Sequence, residues 1–183
     1  MRYLTMLVAG LLAATAPIEA QAPVPESRAV TMPIDALAMT REGIVRGTVT
    51  ARCTAAGTTL GFTLGGLVPS GTYSLWVFLF GVSRDAITPA DATAAGALGS
   101  GDGRSHEFLA DAQGRAELLI VQPRGRLSAF GLVRGCLLDE PQWRVIGGYH
   151  PRRVTARTLR PPSGEIVEHF GVRSTAAAVL STN

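Results

Sequence analysis

One apolar stretch near the middle of the chain constrains the fold more than any other feature. Residues 64–80 read LGGLVPSGTYSLWVFLF, so a glycine and proline turn leads directly into a run of apolar residues. The run from Leu75 to Phe80 is too short for a membrane span or a buried helix, and its aromatic and branched side chains favour a central β-strand. Because side chains alternate along a strand, this one has two apolar faces that both need cover, one made of Tyr73, Leu75, Val77 and Leu79 and the other of Trp76, Phe78 and Phe80.

The same turn and strand carry a motif of the form GL-x-P-x-G-x-Y-x-L-W. Its members are Gly66, Leu67, Pro69, Gly71, Tyr73, Leu75 and Trp76. This motif resembles one found in extracytoplasmic β-sandwich domains, including the outer domains of some anti-sigma factors. The resemblance implies a β-sandwich fold. It implies no activity, because one fold supports many functions.

The first 22 residues have the features of a secretory signal. Arg2 precedes an apolar run over residues 4–14, and Ala20-Gln21-Ala22 forms an A-x-A cleavage site. We therefore expect a periplasmic or secreted protein whose mature chain has no transmembrane segment. The predicted organisation is a signal peptide over residues 1–22, a leader or edge segment over 23–43, a single β-sandwich domain over 44–173 and a loose tail over 174–183.

Two cysteines, Cys53 and Cys136, occur in the chain. An even number of cysteines in an exported protein favours a disulfide, so we predict that these two are bonded to each other. Structural zinc normally requires four closely grouped ligands, and these two cysteines do not supply such a set.

Short alternating segments separated by turn residues indicate the fold class. Val45, Val49 and Ala51 alternate with polar residues, as a strand with one solvated face requires. This strand, the next one and the stretch over 64–80 suggest three successive antiparallel strands, and residues 111–114 suggest the turn of a later hairpin. The prediction is an all-β antiparallel β-sandwich of immunoglobulin-like or Greek-key type.

One short helix is expected within a long loop of this sandwich. Thr88-Pro89-Ala90-Asp91 offers an N-cap residue, a proline at the first helical position and an acid in the first turn. We expect the helix to end near Gly96.

The positive charge of the chain comes from arginine, because the sequence contains no lysine. All 17 basic residues are arginines and the net charge is +3. This bias is typical of GC-rich codon usage. A nucleic-acid surface combines a dense basic patch with stacking aromatic residues, whereas these arginines are mostly dispersed, so nucleic acid is not a predicted partner.

Three histidines, His106, His150 and His169, provide an alternative metal site for copper or zinc. A simple hairpin between the strand ending at His150 and the strand starting at Glu165 would place His169 opposite Ile146. His150 would then lie about 13 Å along the strand from that position, at ~3.3 Å per residue. This distance favours surface or hydrogen-bonded histidines over metal ligands, and no cofactor is predicted.

Catalytic residues are not predicted, although a secreted hydrolase is a second alternative. Gly99-Ser100-Gly101 lacks the glycine spacing and the strand-to-helix setting of a nucleophile elbow. Glu165, Glu168 and His169 lie close together in the sequence, but acids and a histidine within one strand are commonly a solvated edge.

The segment from His150 to Glu168 is the predicted binding region. Four arginines within it suit an anionic ligand or surface, because guanidinium groups bind planar oxyanions well. A solvated basic loop is the alternative, and the face of Trp76, Phe78 and Phe80 is expected to be covered rather than open as a groove. The sequence thus predicts an exported, non-catalytic β-sandwich that binds a partner or ligand through its loops, with the candidate ligand-binding residues His150, Arg152, Arg153, Arg157, Arg160, Glu168 and His169.

Overall fold

The computed structural model describes residues 28–37, 39–40, 43–82, 88–99, 107–151 and 167–174. These residues form short strands and two single turns of 3-10 helix, at Pro89–Asp91 and Leu137–Asp139. In chain order the strands are β1 (Ala29–Pro33), β2 (Asp35–Ala36), β3 (Met39–Thr40), β4 (Gly43–Ile44), β5 (Arg46–Thr54), β6 (Gly57–Gly65), β7 (Thr72–Phe80), β8 (Ala94–Ala97), β9 (Glu107–Leu109), β10 (Ala116–Pro123), β11 (Gly125–Arg126), β12 (Leu132–Val133), β13 (Gln142–His150) and β14 (Val167–Arg173).

The predicted all-β, antiparallel β-sandwich is confirmed. One sheet has the order β1-β5-β6-β10, and the other has the order β2-β14-β13-β7-β8 with β9 also paired to β7. Strands β1 and β2 belong to the predicted leader segment, and each lies at the edge of one sheet. The immunoglobulin-like connectivity stays a prediction. Within the described ranges, no helix is long and apolar enough to cross a membrane.

The core lies between the inward faces of the two sheets, as the alternating patterns predict. In β5, Val49 and Ala51 are buried, whereas Thr48 and Thr50 are exposed. In β7, the predicted inward set of Tyr73, Leu75, Val77 and Leu79 is buried throughout. Leu60, Phe62 and Leu64 of β6 belong to the same core cluster. Removing this apolar surface from water is the main force that holds the sheets together.

The opposite face of β7 is only partly covered. Phe80 is buried, but Trp76 and Phe78 are half-buried. Trp143 of β13, in contrast, is fully buried, with 0% of its surface exposed. Trp143 is therefore the larger contributor to the core.

Two predicted strand pairings are wrong because the chain changes sheets at the turns concerned. Strand β6 pairs with β5 and β10, whereas β7 pairs with β13, β8 and β9, so residues 66–71 cross between the sheets. The turn over residues 111–114 forms as predicted, with Gly114 at φ 69°. The strands on either side of it diverge, however, because β9 joins β7 and β10 joins β6.

The predicted helix is reduced to the 3-10 turn Pro89–Asp91. The backbone N–H and the hydroxyl of Thr88 both donate to Asp91 Oδ2 at 2.8 Å. The Asp91 side chain therefore accepts from Thr88, whereas an N-cap threonine would accept from the backbone of the turn. The expected extension to Gly96 is wrong, because Ala94–Ala97 forms β8 and pairs with β7. Pairing with a buried strand outweighs the helix propensity of alanine, which is worth less than about 1 kcal/mol per residue.

The predicted disulfide between Cys53 and Cys136 is confirmed, with the two Cα atoms 5.7 Å apart. It joins β5 to the 3-10 turn Leu137–Asp139, for which Cys136 is the N-cap residue. Thr58 supports this junction, because its hydroxyl accepts from the Leu137 N–H at 2.8 Å and lies 3.3 Å from Cys136 Sγ.

Loss of this disulfide should reduce stability strongly. The bond closes a loop between positions 83 residues apart, and loop closure of that length is worth about 4–5 kcal/mol in the chain-entropy model. We expect the double variant Cys53→Ala/Cys136→Ala to lose up to that amount in urea unfolding. Thiol titration of the unfolded, unreduced parent should detect no free thiol, and the finding of two would contradict the bond.

Trp143→Ala should destabilise the protein more than Trp76→Ala. Truncating a fully buried aromatic side chain costs about 3–5 kcal/mol, whereas Trp76 already has part of its surface in water. Urea unfolding of the two variants, which remove the same atoms from neighbouring strands, measures the difference. Equal losses would mean that the two indoles are equally well covered.

Candidate functional site

The described residues form a cavity of about 450 Å³ at one end of the sandwich, which we call the end cavity. Its wall comes from three places in the chain: the turn before β7 together with the first residue of β7, the end of β9, and the end of β13. The lining residues are Val68, Pro69, Ser70, Gly71, Thr72, Leu109, Ala110, Tyr149, His150 and Pro151.

The turn that forms one wall is fixed by backbone hydrogen bonds to the neighbouring turn. The Leu67 N–H donates to Gly114 O at 2.9 Å, and the Ser70 N–H donates to Asp111 O at 3.0 Å. The Ala110 N–H donates back to Gly71 O at 3.0 Å. Each turn therefore supplies hydrogen-bond partners for the other, which fixes the position of the two turns relative to each other.

Asp111 holds the second turn together. Its Oδ1 accepts from the backbone N–H groups of Gln113 and Arg115, each at 2.8 Å. The Arg115 N–H, and to a lesser extent that of Gln113 and the Arg115 guanidinium, hold the pKa of Asp111 below its ordinary value. The carboxylate is therefore charged at neutral pH. Its hydrogen bonds stabilise the folded turn, and this stabilisation is lost only as the pH falls through the lowered pKa.

Glycine is required at position 71 because Tyr149 packs directly against its backbone. A Cβ atom added there would lie 3.0 Å from Tyr149 Cε2 and 2.8 Å from Val68 O. Gly66 is constrained differently, since it has a φ of 76° and its missing Cβ would collide with Ile44 O. Both glycines of the motif thus have structural roles in bringing the chain across to β7.

Tyr73 connects the wall of the end cavity to the core. Its hydroxyl oxygen accepts from the Val68 N–H at 2.8 Å and lies 2.9 Å from His169 Nδ1. The hydroxyl thus bridges the Val68 N–H and the His169 imidazole, and the tautomer of His169 sets which of the two side chains donates. The Tyr73 ring also stacks on Phe108 at a centroid distance of 5.3 Å and on the His169 ring at 5.7 Å.

His169 reaches the core because of a β-bulge in β14. Gly148 pairs with Glu168 but Gly147 pairs with Phe170, so His169 is an extra residue in the ladder. The predicted register, with His169 opposite Ile146, is therefore wrong, since Ile146 pairs with Gly171. The bulge turns both His169 and Phe170 inward, and both are 0% exposed.

His150 lies on the other face of the sheet from His169. Its Nε2 is 2.8 Å from Ser74 Oγ, and Ser74 follows Tyr73 in β7, so the two point to opposite faces. His150 is 8% exposed and lines the end cavity at the position paired with Thr72. Of the predicted binding residues that the structure describes, His150 is the one that reaches a cavity.

The positions of His150 and His169 on opposite faces of the sheet argue against a metal site that uses both. His150 and His169 are hydrogen-bonded to different partners on opposite faces, so the sheet lies between them. His106 lies outside the described residues. The one group of potential ligands found within the described ranges is Cys53, Cys136 and Asp139, and its two sulfurs are already joined in the disulfide.

The contact between His150 and Ser74 resembles the base and nucleophile of a hydrolase only in its distance. Ser74 is 1% exposed, so a substrate cannot approach its Oγ. The hydrogen bond instead ties the end of β13 to β7 and fixes the imidazole at the wall of the cavity.

The other predicted binding residues do not contribute visibly to this site. Glu168 is exposed on β14, and His169 is buried beneath the cavity wall. The four arginines at 152, 153, 157 and 160 lie outside the described residues, as does Glu165.

Sequence reasoning missed Thr72, Leu109 and Tyr149 as lining residues. The motif around Gly71 and Tyr73 contained a signal for this site, because it marks the turn where the chain crosses between the sheets. The sequence alone indicates a turn and a core strand at this motif, but not the cavity itself.

Comparison with known proteins gave no matching family model, curated protein or solved structure. The resemblance to extracytoplasmic sandwich domains therefore stays a prediction from the motif alone.

Tyr73→Phe should destabilise the protein by about 1–3 kcal/mol, since it leaves the Val68 N–H and His169 Nδ1 without the hydroxyl that bridges them. Tyr149→Phe is the matched control, because the Tyr149 hydroxyl forms no hydrogen bond with any described residue. Urea unfolding should separate the two variants. An equal, small loss in both would show that the bridge contributes little.

Proposed function

We propose that this protein is an exported, non-catalytic binding module that holds a small organic anion in the end cavity. The observation that carries the proposal is the position of His150. This residue lines the cavity and is also the first residue of the arginine-rich segment in the sequence.

The cavity wall combines apolar and polar surface in comparable amounts, which suits a small molecule that carries both an apolar part and polar groups. Ligand sites are commonly about 300–1,000 Å³ in volume, with a few fixed polar groups that orient the ligand. The end cavity is about 450 Å³, and its apolar lining residues are Val68, Pro69, Leu109, Ala110 and Pro151. Its polar side chains are Ser70, Thr72, Tyr149 and His150.

The preference for an anion rests on the sequence next to the cavity. Arg152 and Arg153 follow Pro151 directly, and Arg157 and Arg160 come shortly after them. Guanidinium groups bind carboxylate and phosphate groups in a bidentate manner. These residues lie beyond the described part of the chain, so their contribution remains a prediction.

The rigidity of the wall also supports a binding role. The two turns share backbone hydrogen bonds, and Tyr73 ties Val68 to the core through His169. A preformed cavity needs little ordering when a ligand enters, which favours affinity.

Export is part of the same proposal. The signal-like residues 1–22 lie outside the described ranges, but the disulfide between Cys53 and Cys136 is typical of proteins in oxidising compartments. A periplasmic or secreted location fits both features.

A panel of small organic acids, including aliphatic and aromatic carboxylates and phosphate monoesters, tests this function by isothermal titration calorimetry. At least one acid should bind the parent protein. Leu109→Glu should weaken that binding at least about tenfold, because a carboxylate in the wall would repel an anion at short range.

Val82→Glu is the matched control for this experiment. Val82 is 47% exposed, compared with 57% for Leu109, and it lies beyond the opposite end of β7 from Thr72. Its variant should bind as the parent does. Binding that is equal in all three proteins would place the acid elsewhere, and the absence of binding by every acid in the panel would refute the function.

A further inference from the structure

A second surface, separate from the end cavity, is formed by residues 123–135, which we call the arginine ribbon. Strands β11 and β12 pair within it, with Gly125 opposite Val133 and Arg126 opposite Leu132. Arg124 and Arg134 are the next residues outward along the two strands. Three arginines therefore lie within one narrow two-stranded ribbon, whose strands are about 5 Å apart.

The backbone of the ribbon is firmly attached to the edge of the sheet at β8. The N–H groups of Ala129 and Phe130 donate to Ala95 O at 3.2 and 3.0 Å, and the Ala95 N–H donates to Phe130 O at 2.9 Å. The Ala97 N–H donates to Ser128 Oγ at 2.7 Å. A Cβ added at Gly131 would collide with Ala94, so the tip lies directly against β8.

The base of the ribbon is attached as well. Gln122, the residue before it, accepts from the Gly99 N–H at 2.8 Å, and Cys136, the residue after it, is held by the disulfide. The ribbon is thus fixed at both ends.

Two large apolar side chains of the ribbon nevertheless point to solvent. Phe130 is 49% exposed and Leu132 is 45% exposed. Leu127 and Val133 of the same ribbon are 6% and 1% exposed, so the ribbon does pack one set of apolar residues into the core. Since the ribbon backbone is hydrogen-bonded to β8, the exposure of Phe130 and Leu132 follows from the fold. Phe130 and Leu132 are two residues apart in the sequence, and apolar groups exposed together in this way mark interaction sites.

The charged residues of the ribbon itself are all positive. Arg124, Arg126 and Arg134 are all exposed, and the sequence contains no acid between Glu117 and Asp139. None of the three arginines forms an ion pair with a residue in the described ranges. A partner for the ribbon must therefore supply negative charge together with an apolar layer.

We propose that the arginine ribbon docks the protein onto the surface of an anionic phospholipid bilayer. Phe130 and Leu132 enter the boundary between the headgroups and the acyl chains, and the three arginines contact lipid phosphates. Apolar side chains flanked by arginine are the combination that binds peripheral proteins to such surfaces. A soluble polyanion would match the charge but would leave the apolar side chains in water.

The docking surface does not coincide with the end cavity. Phe130 bridges Ala95, and Ala95 pairs with Phe78, six residues along β7 from the cavity residue Thr72. At about 3.3 Å per residue this separation is roughly 20 Å. Binding at the ribbon is therefore independent of the proposed function and can be tested without its ligand.

Co-sedimentation with lipid vesicles tests the proposal. The purified protein should bind vesicles of phosphatidylglycerol and phosphatidylcholine, should bind pure phosphatidylcholine much more weakly, and should be released by salt. The triple variant Arg124→Gln/Arg126→Gln/Arg134→Gln should bind the anionic vesicles at least about tenfold more weakly. The triple variant Arg46→Gln/Arg52→Gln/Arg173→Gln changes the net charge equally at other exposed sites and should bind as the parent does.

The apolar part of the contact needs its own variant. Phe130→Ser/Leu132→Ser should weaken vesicle binding at least about tenfold while leaving the melting temperature close to that of the parent, because both side chains are half in water. Ile44→Ser/Val82→Ser is the control, since these residues are 39% and 47% exposed elsewhere. If the serine variant binds anionic vesicles as tightly as the parent, the surface is a purely electrostatic one and the proposal is wrong.

A fluorescent substitution checks the depth of insertion without removing the contact. The added indole of Phe130→Trp should shift its emission to the blue on anionic vesicles and should be quenched by lipids brominated on the acyl chain. A lack of quenching, or equal binding of the parent to neutral and anionic vesicles, would overturn the proposal.

Discussion

The hydroxyl of Tyr73 is the polar group on which the two halves of this sandwich depend. It is buried, and it bridges a backbone N–H of the sheet-crossing turn and a histidine of β14. A buried polar group without a partner is costly, so the turn, the tyrosine and the bulged strand must form together. The stacking of Phe108 on the same ring adds β9 to the group. The polar network therefore selects one arrangement of strands that apolar burial alone would not distinguish.

The sequence was sufficient to predict which faces are buried but insufficient to predict which strands are neighbours. Alternation along β5 and β7 identified their inward residues correctly, because the buried face of a strand carries apolar residues at every second position. No sequence pattern indicates that β7 pairs with β13 rather than β6, since the six residues between β6 and β7 could either close a hairpin or cross to the other sheet. Likewise, the alanines of β8 favour a helix locally, and only their partner strand decides otherwise.

The candidate site was predictable in part, for related physical reasons. His150 was identified because it ends a clear strand next to a basic segment, and it does line the end cavity. The placement of His169 failed for two reasons: the hairpin is already one residue out of the predicted register at Tyr149 and Val167, and the bulge at Gly147 and Gly148 shifts it by one more. Leu109 and Thr72 could not be found, because a cavity wall assembled from three separate segments is a property of the tertiary structure.

The arginines of the described residues differ in their surroundings in a way that codon usage does not explain. Arg28, Arg115 and Arg173 lie within 3.8, 3.4 and 3.3 Å of the carboxylates of Asp139, Asp111 and Asp35. Such surface pairs add little stability, about 0–1 kcal/mol, but they neutralise the local field. The ribbon itself contains no acid, and its arginines form no ion pair with a described residue, so their field extends into solvent, where it can attract an anionic surface. A GC-rich genome replaces lysine by arginine at every position alike. It does not remove acids from one ribbon while retaining them beside other arginines. Because the ribbon is attached to β8 and the end cavity is lined by β7, β9 and β13 of the sheet to which β8 belongs, docking through the ribbon would hold the cavity at a fixed distance from the lipid surface.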